Sequence, residues 1–298
     1  MANQTGIPLL LTTALAPLVW GSTYLVSTQL LPDTHALFAA MVRALPAGVI
    51  LLLITRNRPQ GQWWLKLTVL ATLNIGLFFY CLFSAAYLLP GGMAALLMSG
   101  QPLLVLVLSR LLFATRFTRR YTLALLLGVL GMAMLVLNDD AALNGEGVLI
   151  GLLGTFSMAT GLVLTKYWGR PDNMSLLGFT GWQLTLGGLL LLPLVWQMNL
   201  WPSSFTVRDA LGYGHLCFVA SLFGYLIWFR GIERLPAVTI SFLGFLSSVS
   251  ACLLGYLVLG EQLSLLQFAG GATILVAIYL SVSQSSAKQS AKLATENP

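Results

Sequence analysis

The sequence predicts an all-α membrane protein with ten transmembrane helices, arranged as two inverted five-helix repeats. Three observations lead to this prediction: the composition, the length of the apolar runs, and short motifs that recur in the same order in both halves. Hydrophobic residues make up 57% of the 298 residues and charged residues 8%, against about 25% charged in an average soluble domain. A chain this apolar, with a mean hydropathy of +0.86, needs lipid as the solvent for most of its surface.

The apolar runs are long and continuous, which favours helices over the short alternating strands of an outer-membrane barrel. A helix satisfies its backbone hydrogen bonds within one segment, and it needs about 20 mostly apolar residues to span a bilayer. The predicted spans are Ile7–Leu30, His35–Ile54, Leu65–Leu88, Gly92–Phe113, Tyr121–Leu137, Gly147–Trp168, Ser175–Trp196, Ala210–Phe229, Ala237–Leu259 and Leu263–Val282. The polar segment Ser283–Pro298 predicts a disordered tail.

The first run is expected to remain as a membrane helix. Ala14-Leu15-Ala16 resembles a signal-peptide cleavage site, but Met1–Gly6 contains no Lys or Arg and the apolar run continues to Leu30. These features favour an uncleaved first helix.

Basic residues gather at alternate ends of the runs. One set of connections, together with the tail, carries 13 of the 15 Lys and Arg residues. This set comprises Arg56, Arg58, Lys66, Arg110, Arg116, Arg119, Arg120, Lys166, Arg170, Arg230, Arg234, Lys288 and Lys292. The positive-inside rule places this set and both termini in the cytoplasm of a cell with an inner (plasma) membrane, which requires an even number of helices. Because the charges orient helices, the net charge of +6 does not indicate a nucleic-acid partner.

Matching motifs in the two halves predict an internal duplication. Leu77-Phe78-Phe79-Tyr80 in the third run reappears as Leu222-Phe223-Gly224-Tyr225 in the eighth. Three further pairs follow the same order: Pro32-Asp33 with Pro171-Asp172, Leu89-Pro90 with Leu235-Pro236, and Arg116-Phe117-Thr118 with Gln262-Leu263-Ser264. The predicted units are residues 1–140, residues 141–283 and the tail 284–298.

A repeat of five helices is odd, so the second copy enters the membrane upside down relative to the first. Inverted repeats are a recurring plan of secondary transporters, which place their substrate site near the middle of the bilayer. The predicted architecture therefore favours a carrier of solutes.

The motif Trp20-Gly21-Ser22-Thr23-Tyr24 resembles the WGST(F/Y) signature of EamA-type members of the drug/metabolite transporter superfamily. Further motifs agree with this resemblance: Arg43-Ala44-Leu45-Pro46, Pro90-Gly91-Gly92, Gln101-Pro102, Trp182-Gln183, Gly187-Gly188 and Leu259-Gly260-Glu261-Gln262-Leu263-Ser264. The resemblance covers residues 7 to 283. It departs from the family at Thr115-Arg116-Phe117-Thr118, where many relatives carry an acidic turn, so no role is assigned to Glu261.

This resemblance implies ten helices around a central cavity. Within the superfamily the chain looks most like the PecM-type branch, whose members are described as pigment or metabolite exporters. The implied activity is export of small organic metabolites, such as amino acids or aromatic and amphipathic compounds, by alternating access.

Arg43 is the one charged residue placed well inside a predicted span, and charges inside a membrane are functional by default. It attracts an anionic group of a substrate, or it binds helix-end carbonyls between packed helices, or its long side chain reaches the membrane interface. Gln183 occupies the matching place in the second half, which fits a shared structural duty as well as substrate binding.

Aromatic and polar residues on helices 1, 3, 4, 7 and 8 are the other candidates for binding substrate. Such faces suit a cavity for amphipathic solutes, although single aromatic residues more often pack against neighbours or lie at the membrane interface. Gln101, followed by a proline, predicts either a hinge with a polar contact in the pathway or an ordinary kink. The full candidate set is Trp20, Tyr24, Arg43, Asn74, Phe78, Gln101, Trp182, Gln183 and Tyr225.

The glycines of helices 5, 6 and 7 predict close helix packing, with a possible homodimer contact at the GxxxG of Gly147 and Gly151. Cys81, Cys217 and Cys252 lie in apolar runs without metal-ligand spacing, so we expect no metal, and the absence of a P-loop motif predicts no bound nucleotide.

Other functions remain alternatives to an exporter. An importer or exchanger of the same solutes has the same sequence features. An intramembrane enzyme would need a Ser/His pair or a metal cluster at membrane depth, and His35 and His215 both lie toward the outer ends of their runs. A sensory or scaffolding protein would be expected to have a soluble domain, for which the loops leave no room.

Overall fold

The computed structural model describes residues 7–31, 34–88, 97–98, 100–114, 118–136, 144–260 and 263–296, and every regular element within them is helical. The helices are α1 (Ile7–Gln29), α2 (Ala36–Thr55), α3 (Trp63–Ala71), α4 (Leu77–Leu88), α5 (Gln101–Phe113), α6 (Arg119–Val136), α7 (Gly145–Trp168), α8 (Leu176–Gln197), α9 (Val207–Gly214), α10 (Gly224–Arg234), α11 (Ala237–Leu243), α12 (Leu246–Leu259) and α13 (Leu265–Glu296). Two π-helical segments, Thr72–Gly76 and His215–Phe223, join α3 to α4 and α9 to α10.

Eight helical stretches among the described residues are long and apolar enough to cross a membrane. They are Ile7–Ser27, Leu37–Thr55, Trp63–Ala85, Gly145–Trp168, Leu176–Gln197, Val207–Arg234, Ala237–Leu259 and Leu265–Val282. The all-helical, multi-pass part of the prediction is therefore confirmed. The predicted fourth and fifth spans correspond to the shorter α5 and to α6, and most of Gly92–Gly100 lies outside the described residues. The last helix continues to Glu296, through the segment for which the sequence predicts disorder.

Polar side chains define where several helices begin. Asn144 accepts a hydrogen bond from the backbone N–H of Gly147 at 3.0 Å at the start of α7. Ser175 does the same for Gly178 at 3.1 Å at the start of α8. These bonds satisfy N–H groups that have no partner within the helix, so the turns between spans stay short and the helices keep fixed ends.

The two π-helical segments lie in the third and eighth predicted spans, which carry the repeated Leu-Phe motif. A π turn leaves backbone carbonyls that neighbouring helices must satisfy. In the first half, Ser157 Oγ of α7 donates to the Leu73 carbonyl at 2.9 Å. In the second half, Trp20 Nε1 of α1 donates to the Ala220 carbonyl at 2.8 Å. The two halves therefore stabilise their irregular helices in corresponding ways.

Helices α2 and α8 pack closely and run antiparallel. A Cβ atom added to Gly48 would lie 2.4 Å from the backbone N of Thr185, and one added to Gly188 would lie 2.8 Å from the backbone N of Leu45. Glycine at both positions lets the two backbones touch. The crossing joins residues that stand at matching places of the two halves in the predicted repeat.

The other extensive helix contacts also join the first half of the chain to the second. Helix α6 packs on α13, α1 packs on α10 and α12, and α7 packs on α4 and α5. A Cβ atom on Gly131 of α6 would lie 2.7 Å from the Gly270 carbonyl of α13. The core is consequently formed by helices of one half packed on helices of the other, and we call these the interlaced contacts.

One end of the bundle gathers basic side chains, and we refer to it as the basic end. Arg170 Nε lies 2.7 Å from Glu233 Oε1, the ion pair found among the described residues. Lys166 Nζ donates to the Glu233 carbonyl at 2.7 Å. Lys66 lies 4.8 Å from the ring centre of Trp63. The ends of α7 and α10 are thus tied together by charge.

Candidate functional site

A cavity of about 270 Å³ lies inside the bundle, lined from both halves of the chain. Its walls come from α1, α2, the α3–α4 span, α5, α6, α7, α10, α11 and α12. Two predicted spans are interrupted next to its lining residues: Gly100 precedes Gln101 at the start of α5, and Gly244–Phe245 separates α11 from α12. Irregular backbone at membrane depth is tolerated where it lines a cavity, so these breaks mark a site of function.

Four aromatic rings form one wall of the cavity. The ring centre of Trp20 lies 5.1 Å from that of Tyr225 and 5.0 Å from that of Trp228. The Tyr225 ring centre lies 6.4 Å from that of Phe79. Separations of this size are those of favourable aromatic pairs. Gly224 lets Trp20 approach, since a Cβ there would lie 2.8 Å from Trp20 Nε1.

Arg43 of α2 supplies the positive charge of the cavity. Its side chain is only 5% exposed, and its guanidinium carbon lies 4.7 Å from the ring centre of Phe79. Arg43 Nε donates to Ser221 Oγ in the π-helical segment at 3.3 Å. Among the described residues this is the hydrogen bond that holds the guanidinium, and no carboxylate is paired with it there.

Further polar atoms of the cavity wall have no hydrogen-bond partner among the described residues. Thr23 Oγ1 and Gln101 Nε2 are both buried in this way, and both residues line the cavity. Helix α5 begins at Gln101, so the positive end of its dipole also faces the cavity wall. Unpaired buried polar groups cost stability, so these two atoms are candidates for contact with a bound solute.

Asn74 and Gln183 lie outside the cavity lining and bind each other. Asn74 Nδ2 donates to Gln183 Oε1 at 2.9 Å and to Thr165 Oγ1 at 3.0 Å. Gly161 makes room for this contact, since a Cβ there would lie 2.3 Å from Asn74 Oδ1. The cluster mirrors the Arg43–Ser221 contact: in each half, a polar residue of α2 or α8 bonds to a polar residue of the opposite π-helical segment.

Trp182 also lies away from the cavity. Its Nε1 donates to the Asn57 carbonyl at 2.9 Å, and its ring centre lies 4.9 Å from that of Trp64. These contacts belong to the basic end. The side chain of Tyr24 lies outside the described part of the structure. The cavity therefore brings together five predicted residues: Trp20, Arg43, Phe78, Gln101 and Tyr225.

Other lining residues were not singled out in the sequence. They include Phe79, Trp228, Met158, Thr155 and Phe245. Phe79 stands in the repeated Leu-Phe motif and Thr23 in the WGSTY motif, so the motifs held a signal for both. Met158 and Phe245 lie in apolar segments with scattered Ser and Thr residues, where the sequence gives no sign of which face lines a cavity.

The predicted glycine packing is internal to the chain where the structure describes it. A Cβ atom on Gly151 would lie 2.9 Å from a Leu97 side-chain atom, and one on Gly154 would lie 2.8 Å from Cys81. Within the described residues, no group of three or more His, Cys, Asp or Glu residues is placed to hold a metal ion. The site is thus built from aromatic rings, one cation and a few unpaired polar groups.

Comparisons with known proteins agree with this architecture. The chain is 46% identical to Protein PecM of Dickeya dadantii over 265 residues, which is 89% of each chain. It is 26% identical to a Salmonella typhimurium protein named as a probable amino-acid metabolite efflux pump, over 90% of this chain and 92% of that one. A solved crystal structure at 19% identity covers 94% of this chain and 98% of its own, with a TM-score of 0.75, and shares the fold.

A model of the EamA-like transporter family matches the chain twice, over residues 6–137 and 145–283. These two matches cover nearly the whole chain, and they confirm the resemblance first indicated by Trp20–Tyr24. The chain is a multi-pass membrane protein that belongs to the EamA-like transporter family.

Proposed function

We propose that this protein exports a small organic solute across the cytoplasmic membrane by alternating access. The observation that carries the proposal is the cavity inside the bundle, where Arg43 is buried without an ion-pair partner among the described residues and aromatic rings form the wall. Its volume of about 270 Å³ falls just below the roughly 300–1,000 Å³ of pockets for drug-sized ligands. A solute with a single ring or a short apolar chain fits this space.

Alternating access is supported by the relation between the halves. The antiparallel crossing of α2 and α8 at equivalent residues fits a second repeat of five helices that is inverted relative to the first. In carriers built this way, the two repeats exchange conformations and expose a fixed site to opposite sides. The breaks at Gly100 and Gly244 lie at corresponding places in the two repeats and provide the points at which the helices bend.

An aromatic column fills the space between the cavity and the basic end. The ring centres of Tyr225 and Phe229 lie 5.7 Å apart, those of Phe229 and Phe179 5.9 Å, and those of Phe179 and Trp63 6.5 Å. The positive-inside rule makes the basic end cytoplasmic. In the proposed topology, these rings lie on the cytoplasmic side of the cavity.

Export as the direction of transport rests on the relatives, two of which are named as probable amino-acid metabolite efflux pumps. The same cavity would serve an importer or an exchanger. Direction and coupling are properties that flux measurements decide.

The test is counterflow in proteoliposomes that hold the purified chain, screened against amino acids and small aromatic metabolites, with and without a proton gradient. Met158→Trp fills the cavity from α7, while Phe156→Trp places the same residue on the lipid-facing side of that helix, where Phe156 is half exposed. We expect saturable flux in the wild type and in Phe156→Trp, and none in Met158→Trp at equal amounts of monodisperse protein. Undiminished flux in Met158→Trp would show that solute does not pass through this cavity.

A further inference from the structure

We infer that the cavity selects an apolar monocarboxylate anion in preference to an α-amino acid of the same size and shape. The inference rests on the proposed function and narrows its substrate class. It comes from the charges around the cavity. The described residues place one buried cation there with no carboxylate opposite, and the rest of the lining is mainly apolar.

The positive charge is fixed and buried. Arginine stays protonated in proteins, and the Arg43 side chain is 5% exposed. The Phe79 ring centre lies 4.7 Å from the guanidinium carbon and stabilises the cation through a cation–π contact. Ser221 Oγ accepts a hydrogen bond from the Nε–H only. The two terminal nitrogens of the fork are left to bind a planar carboxylate, which is the geometry that arginine recognises best.

No residue of the chain offers the opposite charge at this depth. All nine acidic residues lie between the predicted spans, or in the first or last turn of a described helix. They are Asp33, Asp139, Asp140, Glu146, Asp172, Asp209, Glu233, Glu261 and Glu296. The ammonium group of an amino acid would therefore leave water without gaining a carboxylate partner, and it would lie near the Arg43 cation. Desolvating an unpaired charge is costly.

The remaining polar atoms of the wall also favour an anion. Gln101 Nε2 is a buried hydrogen-bond donor without a partner among the described residues, and α5 directs the positive end of its dipole from the same position. Opposite these groups lie side chains suited to an apolar body, among them Phe78, Met98, Met158 and Phe245. A solute with a carboxylate at one end of a ring or short chain contacts both the polar groups and the apolar side chains of the wall.

The test uses four probes that share one phenyl ring and differ in charge: 3-phenylpropanoate, phenylalanine, 2-phenylethylamine and 3-phenylpropan-1-ol. Binding is measured as thermal stabilisation of the detergent-solubilised full chain, which does not depend on passive leakage of weak acids through lipid. We expect 3-phenylpropanoate to bind at least about tenfold more tightly than phenylalanine or the alcohol, the loss that follows from one unmade charged interaction. We expect the amine to give no shift.

Variants test whether this preference depends on the charge of the cavity wall. Arg43→Gln removes the charge and should abolish the advantage of 3-phenylpropanoate, whereas Arg43→Lys and Ser221→Ala keep the charge and should retain it. Gln101→Glu adds a carboxylate of nearly the same shape, and it should lower 3-phenylpropanoate binding and raise that of phenylalanine. If Arg43→Gln fails to fold, the comparison of Arg43→Lys with Gln101→Glu makes the same distinction.

Two outcomes would overturn the inference. Phenylalanine binding as tightly as 3-phenylpropanoate would leave a carrier of amino acids, and the proposed function would stand. Absence of binding by all four probes would remove the inference, while the comparison of Met158→Trp with Phe156→Trp in flux would still decide the proposed function by itself.

Discussion

At the scale of single residues, glycines set the distance between α2 and α8. Gly188 faces the backbone of Leu45, and Gly48 faces that of Thr185. Neither contact leaves room for a methyl group. These residues let the two halves meet at their axis, and they keep Arg43 and Gln183 at fixed distances from the π-helical segments that bind them.

We expect Gly188→Leu to lower the free energy of unfolding by about 1–3 kcal/mol or more, because the side chain would force two backbones apart. Thermal unfolding and the yield of monodisperse protein measure the loss. Gly271→Leu is the matched control, since a Cβ there meets nothing within 4 Å. Equal stability of the two variants would mean that α2 and α8 do not cross as described.

Gln183 provides a second test at this scale. We expect Gln183→Met to cost about 1 kcal/mol of stability, the order found for a hydrogen bond between membrane helices, because Asn74 loses its acceptor. Solute binding should persist, since Gln183 lies outside the cavity lining. Gln197→Met, the same change at an exposed place on α8, should leave both properties unaltered. Loss of binding at full stability in Gln183→Met would instead assign Gln183 to the substrate.

The sequence predicted the depth of polar residues better than the direction in which they face. Arg43 and Gln183 occupy matching places, yet only Arg43 lines the cavity. Asn74 and Phe78 are four residues apart, a spacing that puts two side chains on one face of a regular α-helix. Asn74 lies within the π-helical segment Thr72–Gly76, and each extra residue in such a segment turns the side chains that follow by about 100°. Asn74 consequently faces α8 while Phe78 faces the cavity.

At the scale of elements, the interrupted spans matter most. The break before α5 was foreshadowed by Gln101-Pro102, because proline removes a backbone hydrogen bond. The break at Gly244–Phe245 has no proline, and the sequence predicts Ala237–Leu259 as one uninterrupted helix. The correspondence between Gly100 and Gly244 in the two halves was the signal that could have located it.

We expect Gly244→Ala to slow transport several-fold while leaving solute binding intact. Alanine strengthens a helix interior by about 1 kcal/mol relative to glycine, and its Cβ would lie 3.1 Å from the Ser241 carbonyl, so the joint between α11 and α12 would stiffen. Counterflow and thermal stabilisation measure the two properties separately. Gly271→Ala serves as the control, and equal flux in both variants would show that the joint does not bend during transport.

At the scale of the whole molecule, composition and motifs predicted the helical class and the family. A long run of apolar residues is stable in lipid, and in lipid its backbone groups must form their hydrogen bonds within a helix. The helix partners were not predictable in this way. Apolar surfaces of similar composition pack with one another about equally well, and the choice depends on glycine positions and a few buried hydrogen bonds.

Orientation is testable on intact cells with a membrane-impermeant maleimide. We expect Ser203→Cys, in the exposed connection between α8 and α9, to be labelled from outside. Gln60→Cys, in the exposed connection between α2 and α3, should be labelled only after permeabilisation, because the positive-inside rule predicts that the basic end faces the cytoplasm. The parent chain is the control for its own cysteines, of which Cys81 and Cys217 are buried. The reverse labelling pattern would invert the proposed topology.

The interlaced contacts have a consequence for how the ribosome delivers this chain. Helices enter the bilayer one after another and associate afterwards. The main packing partners of the helices in the first half are synthesised only with the second half. Gln183, which accepts a hydrogen bond from Asn74, lies 109 residues further along the chain. Ser221, which accepts one from Arg43, lies 178 residues beyond Arg43. During that interval the nascent first half holds an unmatched guanidinium and an unmatched amide in lipid. Insertion of the first half is therefore the stage at which these buried polar groups lack the partners that they have in the folded protein.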